Sequence, residues 1–356
     1  MFVDLIVDSV ESANKLQAID GSFPAGHNGP YNNTETAIRN TCHLLIANIF
    51  VYKVTLKDSF NEAALKYLSY VKNAVHLNHK SGIQCRINPT RNPYNGLVGQ
   101  AWIIEALCEA GSHFDDFDSY SLAIGLARKF DYSPSYCTWL LPSEKHTIKY
   151  DRTLNHNIWF AAALSIIPKE YDLDIRKCIE HFVDQLFKLI QIYPNGIIHH
   201  SSPYYCNSYP IGSFAAPLRA FRNFTESSYI YQKSIAYHSF NLYGLAILQN
   251  HLSNNTIKSL FDVYDFIGAI NTHDFKTYVS SSKYSFPYNP VGFELAYMLS
   301  IFQPNNLQKI LSYCYRQVAE TYCFESKLFK RDTSDSYTSA ARVYEITRLL
   351  PFLSQL

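Results

Sequence analysis

The sequence predicts an all-α fold in which six helical hairpins close into an (α/α)6 toroid, and three observations lead to it. Apolar residues recur at three- and four-residue intervals through most of the 356 residues, whereas Val/Ile/Thr alternation is scarce, so strands are minor at most. Helical segments come in two chemically different kinds that alternate along the chain. Starts of the first kind return roughly every 50 to 80 residues, the mark of a weakly similar repeat.

Using Pro, Gly and Asn clusters as stops, helices are expected over 4–18, 34–54, 58–79, 96–112, 118–131, 154–167, 173–192, 235–250, 255–270, 290–303, 305–322 and 337–352. The first kind begins with small, polar or aromatic residues and then turns apolar: "TETAIRNTCHLLIANIF", "GLVGQAWIIEAL", "TLNHNIWFAAAL", "AYHSFNLYGLAIL", "NPVGFELAYML" and "SYTSAARVYEITRLL". The second kind, such as "DLDIRKCIEHFVDQLFKLI", is amphipathic with a charged face. If the first kind forms an inner ring of parallel helices and the second an outer ring running the other way, every polar start converges on one mouth. The chain then reads as a single domain over 1–356, with an aromatic-rich insertion near 197–233 that is long enough to be a flap over that mouth.

Composition narrows the partners. With 31 Lys plus Arg against 30 Asp plus Glu the formal charge is +1, so no overall field draws the chain to nucleic acid. The 28 Tyr and 23 Phe suit both a large core and a sugar-binding cleft. Eight cysteines without a C-x-x-C pair read as reduced thiols. The acidic start "MFVDLIVDSVESANK" lacks a basic signal region, and no apolar run reaches the roughly 20 residues of a membrane span, so a cytoplasmic location is expected. Thirteen histidines show no H-E-x-x-H or H-x-H spacing, and neither a metal nor a cofactor is expected. Oligomeric state leaves no trace in the sequence.

Three helix starts each present a histidine with an amide. Arg39 and Asn40 lie four and three residues before His43; Asn155 and His156 lie four and three before Trp159; Tyr237 and His238 lie four and three before Asn241. A histidine or tyrosine can take the proton beside a uronate carboxylate while amide and arginine donors hold the developing charge. This assigns His156, His238 and Tyr237 as acid/base candidates, and Arg39, Asn40, His43, Arg152, Asn155 and Asn241 as binding groups. His27 and Asn28 of "PAGHNGPYNN" would stand on the rim. Hydrolysis would need two carboxylates across a cleft. Asp20, Glu105, Asp151 and Glu294 are candidates for it, with Glu35, Asp332 and Asp335 nearby.

"DGSFPAGHNGPY", "NGLVGQAWIIEAL", "DRTLNHNIWFAAA", "YHSFNLYGLAIL" and "YNPVGFELAY" resemble the repeated segments of (α/α)6 toroid carbohydrate-active proteins, including polysaccharide lyases, unsaturated-glycoside hydrolases and sugar epimerases; "NHNIW" is similar to the Asn-His-containing helix of toroidal lyases. The chain also resembles proteins of bacterial surface-polysaccharide loci. The resemblance implies a carbohydrate-active enzyme whose partner is an acidic, uronate-containing polysaccharide or its oligosaccharides, acting by β-elimination or epimerisation. A hydrolase with paired carboxylates and a glycan-binding toroid without activity are the alternatives.

Overall fold

The computed structural model describes residues 2–77, 82–87, 92–142, 149–202, 229–252 and 254–354. Helices carry most of the described chain: α1 Phe2–Asn14, α2 Ile38–Thr55, α3 Asp58–His76, α4 Gly96–Phe114, α5 Phe117–Ala127, α6 Leu154–Ser165, α7 Leu173–Asp184 and α8 Leu186–Leu189. Helical residues 229–236 (α9) lead into α10 His238–Leu252. Then follow α11 Asn255–Val263, α12 Phe266–Ala269, α13 His273–Ser281, α14 Val291–Phe302, α15 Leu307–Thr321, α16 Ser336–Ala341, α17 Tyr344–Thr347 and α18 Leu350–Leu353.

The two chemical kinds of helix become two rings. Helices α2, α4, α6, α10 and α14 pack in that order, and α17 closes the circle between α14 and α2. These inner helices are buried almost all round; α4 alone buries every residue from Gly96 to Gly111. That explains why they are apolar on all faces: each touches two inner neighbours and an outer helix. The outer helices α1, α3, α5, α7, α11 and α15 face solvent on one side, so the amphipathic pattern belongs to them.

Several boundaries differ from expectation, each for a local reason. The segment expected over 118–131 stops at Ala127 because the chain turns into a small sheet, in which β2 (Thr138–Leu141) pairs antiparallel with β1 (Tyr132–Ser133) and β3 (Lys149–Tyr150). A second hairpin joins β4 (Tyr322–Cys323) to β5 (Leu328–Phe329). The expected 255–270 helix divides at Tyr264, where the backbone is extended, and α13 was not anticipated. The 337–352 segment is three short helices broken at Arg342 and Arg348, whose side chains turn inward to ion pairs. The aromatic insertion lies mostly outside the described residues, and so does the flap expected there. Among the described residues no helix is long and apolar enough to cross a membrane.

Trp159 shows how the ring packs. It is 1% exposed, stacks on Phe240 (centroids 4.1 Å apart) and Tyr243 (5.2 Å), and donates its indole N–H to Glu105 at 3.1 Å. Truncating such a ring removes both its transfer free energy and its packing. Trp159→Ala is expected to lose about 3–5 kcal/mol of unfolding free energy, read from the shift of a denaturant midpoint at unchanged slope.

Candidate functional site

The inner helices all begin at one end of the ring, and there they surround a cavity of about 180 Å³. Its wall draws on every inner helix or the segment leading into it: Arg39, Trp102, His156, Tyr237, Asn289 and Arg342 are the representatives around the circle. The volume is below the roughly 300–1,000 Å³ of pockets that enclose drug-sized ligands, and suits one sugar ring.

The opening stretch of α6 builds the most structured part of this wall. Asp151 accepts from the backbone N–H groups of Thr153 (3.0 Å) and Leu97 (3.1 Å) and from His156 Nδ1 at 2.6 Å. Burial pushes the Asp151 carboxyl up, but the His156 imidazole and these hydrogen bonds outweigh it and hold the group below its ordinary value. An ionised Asp151 can only accept, so Nδ1 of His156 carries the hydrogen and Nε2 is left for a ligand. Gly96 is required beside this pair: it has φ of +63°, and a Cβ there would stand 2.1 Å from Asp151 Oδ2 and 2.8 Å from His156 Nδ1.

Across the wall, Asn28 accepts from Arg39 Nη1 (3.1 Å) and Tyr288 OH (2.7 Å). Arg39 pairs with Glu35 at 3.3 Å and lies 4.3 Å over the Trp102 ring. The loop carrying Asn28 is held by Asp335, whose Oδ2 accepts from the N–H of His27 (3.1 Å) and of Gly29 (2.7 Å). Tyr237 and Tyr31 join their hydroxyls at 2.8 Å, and burial keeps both phenols protonated.

The sequence-based candidates are sorted by this geometry. Asn28, Arg39, Asn155, His156 and Tyr237 line the cavity. His238 does not: its Nδ1 accepts from Ile198 N–H at 3.2 Å and its ring is wedged among Phe266 and Phe275, which burial repays with a proton affinity lowered to about 4. One residue further along the helix than Tyr237, it points outward between rings. His43 is stacked on Tyr344 at 4.0 Å, fully buried, and Asn40 and Asn241 spend their amides on the carbonyls of Pro24 (2.9 Å) and Tyr237 (3.0 Å). None of these three lines the cavity. Arg152 is exposed outside it, and His27 holds the rim loop through Gly29 and Ser334 carbonyls.

The carboxylates act as struts. Asp20 is exposed and bonds Ser22; Glu105 holds Arg348 and Trp159; Glu294 holds Arg342 and Ser239; Asp151 orients His156. Asp332 is exposed beside Arg331. Among the described residues no Asp or Glu lines the cavity. Sequence reasoning passed over Arg86, Lys233, Tyr288 and Arg342, which do, and singled out His200 only as part of the His199–His200 pair that opens the insertion, without a role in the site. Arg342 was legible in principle, since it lies with Glu345 and Arg348 inside an apolar run; His200 and Lys233 flank the insertion and gave no periodic signal. Among the described residues no cluster of His, Cys, Asp and Glu could hold a metal ion.

A ring of inner helices whose starts enclose one cavity defines a six-hairpin (α/α)6 toroid. Solved structures of that fold include the unsaturated glucuronyl hydrolase of Bacillus sp. GL1 (TM-score 0.64, 11% identity, 99% of this chain and 97% of that one) and a sugar epimerase from a ruminal bacterium (0.61, 12%, 98% and 99%). No protein-family model matches the chain. Archaeal glycosylation protein Q of Haloferax volcanii is 30% identical over 361 residues, spanning 97% of this chain and 96% of its own, and the chain belongs to that family.

Burial leaves His200, His238 and His251 neutral in the fold, at about 3, 4 and 4 respectively against an ordinary 6.5. The unfolded chain therefore binds protons that the native state refuses between those values, and stability falls as pH drops from 6.5 towards 4. Chemical denaturation at a series of pH values should show this loss, and His238→Gln, in a variant that still folds, should lower the proton uptake on unfolding at pH 5 by about one.

Proposed function

We propose that this protein moves a proton at the carbon beside the carboxylate of an acidic sugar, most simply as an epimerase, with His200 and His156 as the base and acid. The observation that carries the reading is a pair of imidazoles on one sugar-sized cavity in opposite environments. Burial, with Lys233 and His156 nearby, lowers His200 to about 3, so it meets the substrate neutral, and the anionic substrate bound beside it raises its proton affinity for the transfer. Asp151, 2.6 Å from Nδ1 of the other ring, orients His156 so that its Nε2 meets the substrate.

The electron balance is simple. His200 accepts the C–H proton, the electron pair moves into the carboxylate to give an enediolate, and Arg39 and Arg86 stabilise the added charge. His156 then donates from the opposite face, so configuration inverts and the two rings exchange protonation states. Tyr237 and Tyr31, protonated and hydrogen-bonded to each other, are donors for sugar hydroxyls. The absence of carboxylates from the described wall argues against the two-carboxylate hydrolase. The family relative's name ties it to glycosylation, which fits an acidic sugar of a glycan as substrate.

Purified protein incubated with glucuronate, galacturonate and mannuronate glycosides in heavy water should incorporate solvent deuterium beside the carboxylate. His156→Ala should slow incorporation about 10²–10⁴-fold with a smaller fall in melting temperature than Trp159→Ala, because the ring is partly exposed and Asp151 keeps its two backbone donors. An unsaturated product would indicate elimination instead. If none of these sugars exchanges or is cleaved, the reading fails.

A further inference from the structure

The cationic groups of the wall differ in what they are already bound to. Arg342 spends its guanidinium on Glu294 (3.0 Å), Glu345 (2.6 and 2.9 Å), the Tyr288 carbonyl (3.2 Å) and Asn289. Arg39 has Glu35. Arg86 contacts only neutral acceptors, the Asn92 carbonyl at 3.3 Å and the Asn95 side chain. Lys233 is surrounded by the rings of Tyr31, Tyr229 and Tyr284, with Nζ 5.3, 5.2 and 5.3 Å from their centroids. Aromatic faces hold an ammonium without neutralising it. Among the described residues, then, Arg86 and Lys233 face the cavity with no carboxylate in contact.

They stand apart around the ring. Arg86 precedes α4 and Lys233 precedes α10, with α6 between those helices in the circle. A single carboxylate on one sugar ring can neutralise one of them. The starts of α2, α4, α6 and α14, which have no side-chain cap, add their positive helix ends to the same mouth. A site with two separated cations that no described carboxylate touches, and room for one ring, fits a sugar bearing two anionic groups.

Resting on the acidic-sugar reading above, we propose that the substrate is a uronic acid carrying a phosphate ester, its carboxylate against Arg86 and Arg39 and its phosphate against Lys233. The three tyrosines hold the lysine stem so that its ammonium meets the phosphate as a fixed point charge. A second carboxylate on a neighbouring sugar is the competing source of charge, and the small cavity disfavours it.

Calorimetric titration with methyl glucuronoside and with glucuronic acid 1-phosphate separates one anionic group from two. The phosphate is expected to tighten binding roughly ten- to a hundredfold, the span of a charged hydrogen bond. Lys233→Met should abolish that advantage while methyl glucuronoside still binds, Lys233→Arg should retain most of it, and Arg86→Met should weaken both ligands alike. Uridine diphosphate glucuronate and a prenyl-phosphate glucuronate, titrated in parallel, distinguish a nucleotide from a lipid as the phosphate's source. Equal affinity for the two primary ligands, an advantage that survives Lys233→Met, or a diglucuronide binding as tightly as the phosphate would each overturn the proposal. Deuterium exchange into methyl glucuronoside without any phosphate preference would remove this inference and leave the proton transfer standing; phosphate preference without exchange would do the reverse.

Discussion

The closure of the inner ring rests on two buried arginines of its last member. Arg348 reaches across to Glu105 (2.7 Å) and Glu109 (2.6 Å) of α4, and Arg342 to Glu294 of α14 and to Glu345 beside it. All six side chains are nearly inaccessible to water. Such pairs add little net stability over apolar packing, yet removing one partner strands a buried charge at about 3–5 kcal/mol, so the set behaves as a single unit. Its consequence is geometric. With α16 and α17 locked between α14 and α2, the inner starts are fixed at one end, and the cavity exists only because they are.

Burial on that scale shifts protons. Glu345 is driven well above its ordinary value by burial, against the pull of Arg342. Glu109 goes the other way, because Arg348 outweighs its burial. Among the described residues Glu105, Glu109, Glu294 and Glu345 are engaged with Arg342 and Arg348, and the polar groups that line the cavity are cations, amides, hydroxyls and imidazoles. The same economy appears at the rim, where Asp335 organises the loop of Asn28 and caps α16 through Thr338 N–H.

The Asp151–His156 pair illustrates how local sequence and distant packing combine. "DRTLNHN" supplies both side chains, five residues apart across a helix start. What fixes their geometry is α4: Gly96 leaves room for the carboxylate, and Leu97 donates to it. Neither contact is implied by the α6 sequence.

By itself, the sequence determined the fold class, because apolar periodicity over the whole helix surface in alternate segments can be satisfied only by an inner ring, and a one-faced pattern only by an outer one. It also determined that His156, Asn155, Arg39, Asn28 and Tyr237 stand at helix starts or the loop beside them. Only the tertiary structure decided which polar residues at those starts face the cavity. A helix turns about 100° per residue, so Tyr237 and its neighbour His238 point to opposite fates, one to the cavity and one to an aromatic slot. Arg86 and His200 come from irregular segments and Lys233 from α9 beside the insertion, and their reach into the site is set by packing contacts far apart in sequence.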